Sequence, residues 1–163
     1  MHVPFDQLSI DSKVWIYGSQ KPFTIEQTSI ISSELKLFTD TWQAHGSELK
    51  ASYEIKHNHF IVIGVDESHQ APSGCSIDKS VQVIKSIESQ LKVDLMDRLV
   101  VYVLANNSVQ IFSSNSLPKA IEEGLLTVDS QVFDNTITLV EKYQNEWIKP
   151  AHKTWLHRYF TLV

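Results

Sequence analysis

The chain holds one cysteine, Cys75, in 163 residues. An internal disulfide is impossible and a multi-cysteine zinc site is excluded, and a lone thiol agrees with a reducing compartment. Glycine and proline are scarce, five of each, with no low-complexity run and no repeat at a period of roughly 20 to 50 residues, which excludes a solenoid or propeller. No apolar stretch approaches the roughly 18 uninterrupted residues of a membrane span. Residues 1–11 carry Asp6 and lack a basic start followed by an apolar run, so they do not read as a signal peptide. The expectation is a cytoplasmic protein without a membrane partner.

A nucleotide-phosphate loop is also lacking. None of Gly18, Gly46, Gly64, Gly74 and Gly124 is followed by a second glycine five residues later, so the amides and lysine that cradle phosphates in such a loop have no counterpart. No cofactor is implied. Positive charge is short as well. The net charge is −5, which argues against nonspecific nucleic-acid binding. The deficit is uneven: residues 147–163 contain Lys149, Lys153 and Arg158 and no acid, leaving 11 of the 14 basic residues against all 19 acids in the rest. A basic, aromatic C-terminal segment thus follows an acidic body.

What the chain does have is the composition of a folded domain, 42% apolar and 20% charged. Residues 13–17 are β-branched and aromatic, bounded by Gly18 and Pro22, and predict a first strand. Thr24 with Gln27 three residues on predicts a capping box, and Ile31, Leu35, Phe38 and Trp42 form the apolar stripe of a helix that Gly46 should end. From Lys50 the period switches to two, with Ala51, Tyr53 and Ile55 on one side. The apolar run 59–65 predicts a central strand, joined to the strand that begins at Lys50 by a turn at His57-Asn58 or Asn58-His59. A two-residue turn at either place puts Tyr53 and Ile55 on the face of Phe60 and Val62.

Ile77, Val81, Ile84, Ile87 and Leu91 mark a second amphipathic helix after a polar loop. A second hairpin is expected about Asn106-Asn107, then a short helix with Pro118 in its first turn and Gly124 at its end, then a brief strand at 131–133. Asn135 or Thr136 should cap a third long helix carrying Leu139, Val140, Tyr143 and Trp147 that Pro150 ends or kinks, with a last helical piece around Trp155, Tyr159 and Phe160. The fold class that follows is α+β: one domain over 1–163, with a mostly antiparallel sheet of two hairpins and amphipathic helices packed on one face.

Four constellations carry possible chemistry. Cys75 at a helix start sits where free amides and the helix dipole favour a thiolate, with His57 or His59 as base and Asp66 as orienting carboxylate. Asp78 on the same helix opposes it, and packing as a small apolar residue is the plainer role for the thiol. Ser73, Gly74 and Ser76, with Lys79 nearby, offer backbone amides to a phosphate or carboxylate. His57 and His59 share a face of a regular strand and would need a third group, Asp66 or His69, to hold a metal, whereas two solvated turn histidines hold none. The tail interleaves Lys149, Lys153, His157 and Arg158 with aromatics, suiting RNA, a protein partner, or a cover for the sheet.

Residues 50–60, 66–68, 73–81 and 131–136, with the tail around Trp155, resemble a family of small uncharacterised bacterial proteins of this length, some labelled ABC-transporter ATPase. The resemblance spans most of the chain and implies no established activity. Residues 116–133, with a short helix, a Glu-Gly stop, Asp129 and Val132-Phe133, are similar to the second half of GYF-like adaptor domains, which bind proline-rich peptides, but the aromatic first half of that pattern is absent. The leading expectation is a noncatalytic domain that binds a protein partner or small ligand. The alternatives are a Cys75-dependent thiol enzyme or redox sensor, and RNA binding through the tail.

Overall fold

The computed structural model describes residues 1–68 and 72–161. Its elements are β1 (Lys13–Gly18), α1 (Ile25–Thr41), β2 (Gln43–Ala44), β3 (Ser47–Glu48), β4 (Lys50–Lys56), β5 (Phe60–Asp66), α2 (Gly74–Leu91), β6 (Val100–Ala105), β7 (Ser108–Ser113), α3 (Leu117–Glu122), β8 (Gln131–Phe133), α4 (Val140–Glu146), β9 (Ile148–Pro150) and α5 (His157–Phe160). The fold is α+β with antiparallel sheets. One sheet has the order β1-β5-β4, a second the order β7-β6-β8-β9, and β2 and β3 form a small ribbon. Among the described residues no helix is long and apolar enough to cross a membrane.

The two hairpins therefore lie in separate sheets, and each sheet carries helices on one face and the other sheet on its second. Alternation along β5 decides this. Ile61, Ile63 and Val65 join Ile31 and Leu35 of α1 and Ile84 and Ile87 of α2 in one core. Phe60 and Val62 point the other way, to Tyr102, Phe133, Val140, Tyr143 and Trp147. Beyond the second sheet, Val101, Val103 and Val132 meet Leu117 of α3 together with Ala151 and Leu156. Being covered on both faces, β5 is apolar at nearly every position, and each side chain of Ile or Phe size that is fully buried there contributes about 1.5 to 3 kcal/mol.

The first hairpin differs from expectation in register. Lys56 pairs with Phe60, Ile55 with Ile61 and Tyr53 with Ile63, so three residues separate the strands instead of two. His57 and Asn58, at φ 52° and 56°, make the turn, the His59 N–H closes it on the Lys56 carbonyl at 3.1 Å, and His59 is one residue extra. A one-residue shift reverses faces. Tyr53 and Ile55 consequently share the α1 and α2 side with Ile61 and Ile63, not the side of Phe60 and Val62. The second hairpin turns at Asn106 and Asn107, both at positive φ, as its residues predict.

Helix α1 has the Thr24–Gln27 capping box, but it stops at Thr41 and not at Gly46. Trp42 leaves the helix to bury its ring beside Phe38 and Trp15, and its Nε1 donates to the Ser76 carbonyl at 2.9 Å. Gly46 instead turns the β2-β3 ribbon at φ 78°. In α2 the first two buried positions are Ser76 and Ser80, with Ile77 and Val81 only half-buried.

The expected cap at Asn135 or Thr136 is also corrected, because α4 begins at Val140. Residues 134–136 form a turn in which Asp134 accepts from the Thr136 amide at 3.1 Å. Residues 138–140 then run along β1, the Thr138 carbonyl accepting from Val14 and the Val140 amide donating to Ser12, both at 2.9 Å. A chain paired with a strand cannot also be helical, so the helix is delayed. Pro150 closes a strand, β9, rather than a helix; α3 with Pro118, its Gly124 stop at φ 73°, and β8 stand as expected.

Candidate functional site

The β4-β5 turn places His57 in a left-handed backbone conformation, which costs a residue other than glycine of the order of 1 kcal/mol. Neighbouring bonds hold it there. The Phe23 amide donates to the Asn58 carbonyl at 2.6 Å and the Ser19 amide to the His59 carbonyl at 2.7 Å. The His59 ring is buried and lies 2.8 Å from the Ser19 carbonyl through Nδ1. A carbonyl only accepts, so Nδ1 carries the proton.

The His57 ring rests against an aromatic cluster drawn from both sheets. Its centroid is 5.1 Å from Phe133, 5.8 Å from Trp147 and 6.4 Å from Phe60. Trp147 is fixed by its Nε1 donating to Asn135 at 2.9 Å, and Tyr143 lies 5.1 Å from it, as residues four apart on a helix do. The Tyr143 hydroxyl donates to Glu54 Oε2 at 2.7 Å. Burial, and then the Glu54 carboxylate, push the Tyr143 hydroxyl well above its ordinary range, so it remains a donor. Burial, followed by the charges of Lys56 and His59, lowers His57 below 6.5, leaving a neutral imidazole at neutral pH.

Two open clefts meet at this ring. One, of about 350 Å³, has Phe5, Tyr143 and Trp147 as apolar lining and Asp6, Glu54 and Lys56 as its charged groups. The other, of about 520 Å³, lies between the hairpins and is bordered by Asn58, His59, Asn107 and Ile111. A third, of about 390 Å³, continues from the first along the outer edge of β4, sharing Phe5, Glu54 and Lys56 with it. Aromatic walls with a few fixed polar groups are what small-molecule and peptide sites are made of.

The sequence-predicted residues do not converge. Asp66 closes β5 while His57 and His59 sit at its beginning, and six strand steps of about 3.3 Å put them roughly 20 Å apart. Asp66 is buried at 6% exposure, accepts from Ser68 at 2.8 Å and faces Lys50 at 3.9 Å. Burial opposes its charge, but the Ser68 hydrogen bonds and Lys50 prevail and hold its carboxyl below the ordinary range.

Cys75 is exposed in the first turn of α2. The helix start is tied to the Asp66 end of the hairpin, since Trp42 bonds to Ser76 and also accepts from Leu49, the neighbour of Lys50. The thiol and both imidazoles are thus at opposite ends of the sheet. Ser73 caps the helix, its oxygen accepting from the Ser76 amide at 3.1 Å while the Ser76 hydroxyl donates back to the Ser73 carbonyl at 2.8 Å. These two serines satisfy each other, and a Cβ on Gly74 would meet nothing within 4 Å, so no backbone cradle demands glycine there. Lys79 is exposed one turn on. Among the described residues no three His, Cys, Asp or Glu side chains are grouped to hold a metal, and His69 lies outside those residues.

In the tail, Lys149 is bound to Asp134 at 3.0 Å and Arg158 lies over the rings of Trp155 and Tyr159 at 5.7 and 5.3 Å. Tyr159 and Phe160 pack against the third core, so the aromatics largely serve as cover. Sequence reasoning named His57 but missed Glu54, Tyr143 and Trp147 around it. Only the spacing of Tyr143 and Trp147 hinted at a shared surface. No family model matches the chain, and neither curated proteins nor solved structures yield a match.

Proposed function

We propose that the chain is a noncatalytic binding domain, acting in the cytoplasm, whose site is the pair of clefts meeting at His57. The observation that carries this reading is the backbone cost accepted at His57 to hold a neutral imidazole against Phe133 and Trp147 between two open clefts. A neutral ring offers both a donor and an acceptor, the aromatic floor supplies apolar area, and Glu54 and Asp6 favour a ligand with positive character. The separation of Cys75 from both histidines supports binding over thiol catalysis, because a nucleophile and its base must lie within hydrogen-bond reach.

The test is titration of the labelled protein with a library of small aromatic amines and amides, followed by amide and imidazole resonances. The reading expects saturable shifts at His57, Asn58 and Trp147. Absence of any saturable shift there at millimolar ligand would refute it.

A further inference from the structure

The outer edge of β4 is half closed by the chain itself. The Val3 amide donates to the Ala51 carbonyl at 2.9 Å and the Ala51 amide to the Met1 carbonyl at 3.1 Å, and His2 bridges Ala51 in parallel fashion. Pro4 follows, and the chain leaves the edge, carrying Phe5 into the core between the sheets. Ala51 therefore directs both backbone groups away from β5. Antiparallel pairing alternates, so Tyr53 and Ile55 do the same. Among the described residues neither makes a backbone bond outside the β4-β5 ladder. Two amides and two carbonyls are thus presented in a row, along the cleft of about 390 Å³ that borders Tyr53, Glu54, Ile55 and Lys56.

We propose that this edge receives an extended peptide carrying an arginine, which adds as a further strand beside Tyr53 and Ile55. The backbone pattern sets the extended form, because four groups at strand spacing are matched only by another strand. The side-chain chemistry sets the arginine. A peptide residue opposite Glu54 projects to the same face as Glu54, into the cleft of about 350 Å³ between Tyr143, Trp147, Asp6 and the Glu54 carboxylate. A guanidinium there meets two acids beside the aromatic lining of Tyr143 and Trp147, against the single cation Lys56, which is 3.9 Å from Glu54. A second copy is the poorer occupant: the two-fold pairing of Tyr53 with Ile55 places Glu54 opposite its own symmetry mate, and like charges opposed across strands are unfavourable.

The inference rests on the binding role proposed above, and the experiment separates the two. The probes are the blocked pentapeptides Thr-Val-Arg-Val-Thr and Thr-Val-Glu-Val-Thr, titrated into the full chain by NMR with hydrogen exchange in parallel. Expected are saturable shifts and slowed exchange at the Tyr53 and Ile55 amides, with the arginine peptide at least tenfold tighter and Glu54→Lys reversing that preference. The Ile55→Pro variant, which removes one outward donor at an edge that tolerates proline, abolishes binding if it keeps the native melting temperature; Glu54→Lys decides the question if it does not. Shifts confined to His57 and Trp147 would overturn strand addition while leaving the binding role. Equal affinity for both peptides overturns the arginine assignment. Concentration-dependent dimerisation by sedimentation that protects the Tyr53 and Ile55 amides overturns the peptide in favour of a second copy.

Discussion

The Tyr143 hydroxyl and the Glu54 carboxylate, 89 residues apart in the chain, meet at 2.7 Å and join α4 to the edge strand of the first sheet. Tyr143→Phe leaves the ring and its packing and removes only the donor. Half-buried Glu54 then loses its neutral partner, and the expected destabilisation is about 1 kcal/mol, or up to about 3 if water does not replace the bond. Urea denaturation measures it. The same variant removes a late component from the alkaline absorbance titration, since burial holds Tyr143, like Tyr102 and Tyr17, above the ordinary range. A tyrosine that titrates near 10 at this position would contradict the bond.

His57 gives the protein a pH dependence of definite sign. Its folded pKa lies below the unfolded value of 6.5 through burial, Lys56 and His59, so between those values the unfolded chain binds a proton that the folded chain refuses. The stability contributed is complete above 6.5 and is lost as pH falls through the folded pKa. His57→Asn keeps a residue tolerant of positive φ and removes the titration. Denaturation at pH 7 and pH 5 should show a smaller acid loss in the variant; an equal loss would assign the slope elsewhere, His2 being the other histidine among the described residues that burial lowers.

Gly18 is a packing requirement. A Cβ at this position would stand 2.6 Å from Tyr102 Cζ and 2.7 Å from its hydroxyl, so the Tyr102 ring, packed edge-on against Phe60 at 5.0 Å, must shift to admit it. Gly18→Ala should cost roughly 1 to 3 kcal/mol. Adding Tyr102→Leu should recover part of that loss, because the two changes share one contact. Strict additivity in thermal unfolding of the double variant would refute the clash.

Cys75 lies exposed in the first turn of α2 and is not a member of any of the three buried cores. Cys75→Ser should change stability by less than about 0.5 kcal/mol. In the folded chain a thiol reagent should reach it without prior unfolding, so the labelling rate stays flat as urea is raised below the transition. A rate that rises with urea would mean the sulfur is sheltered.

Local features were legible where the residues concerned are neighbours in sequence. The Thr24–Gln27 box, the Asn106-Asn107 turn and the Pro118 and Gly124 bounds of α3 depend on capping, positive φ and ring constraints that act over three or four residues. The His57 turn was ambiguous because its outcome depends on Ser19 and Phe23, which hold His59 and Asn58 from across the sheet. The site suffered most. His57 was visible as a turn histidine, but Phe133, Tyr143 and Trp147 reach it only when the two sheets face each other. The grouping of Cys75, Asp66 and the two histidines is not brought together for the converse reason: the seven residues of β5 separate the turn histidines from Asp66 and the start of α2.

Composition and periodicity by themselves determined the α+β class, the central apolar strand and the Ile31 and Leu35 face of α1, because burial and backbone geometry act on every residue according to its immediate surroundings. Tertiary structure alone decided which face of the first hairpin meets the helices, that the strands divide into two sheets, and that an imidazole, a carboxylate, Tyr143 of α4 and the Trp147 just after it share one cleft. A single additional residue at His59 was enough to set that face, since strand side chains alternate and a shift of one exchanges inside with outside.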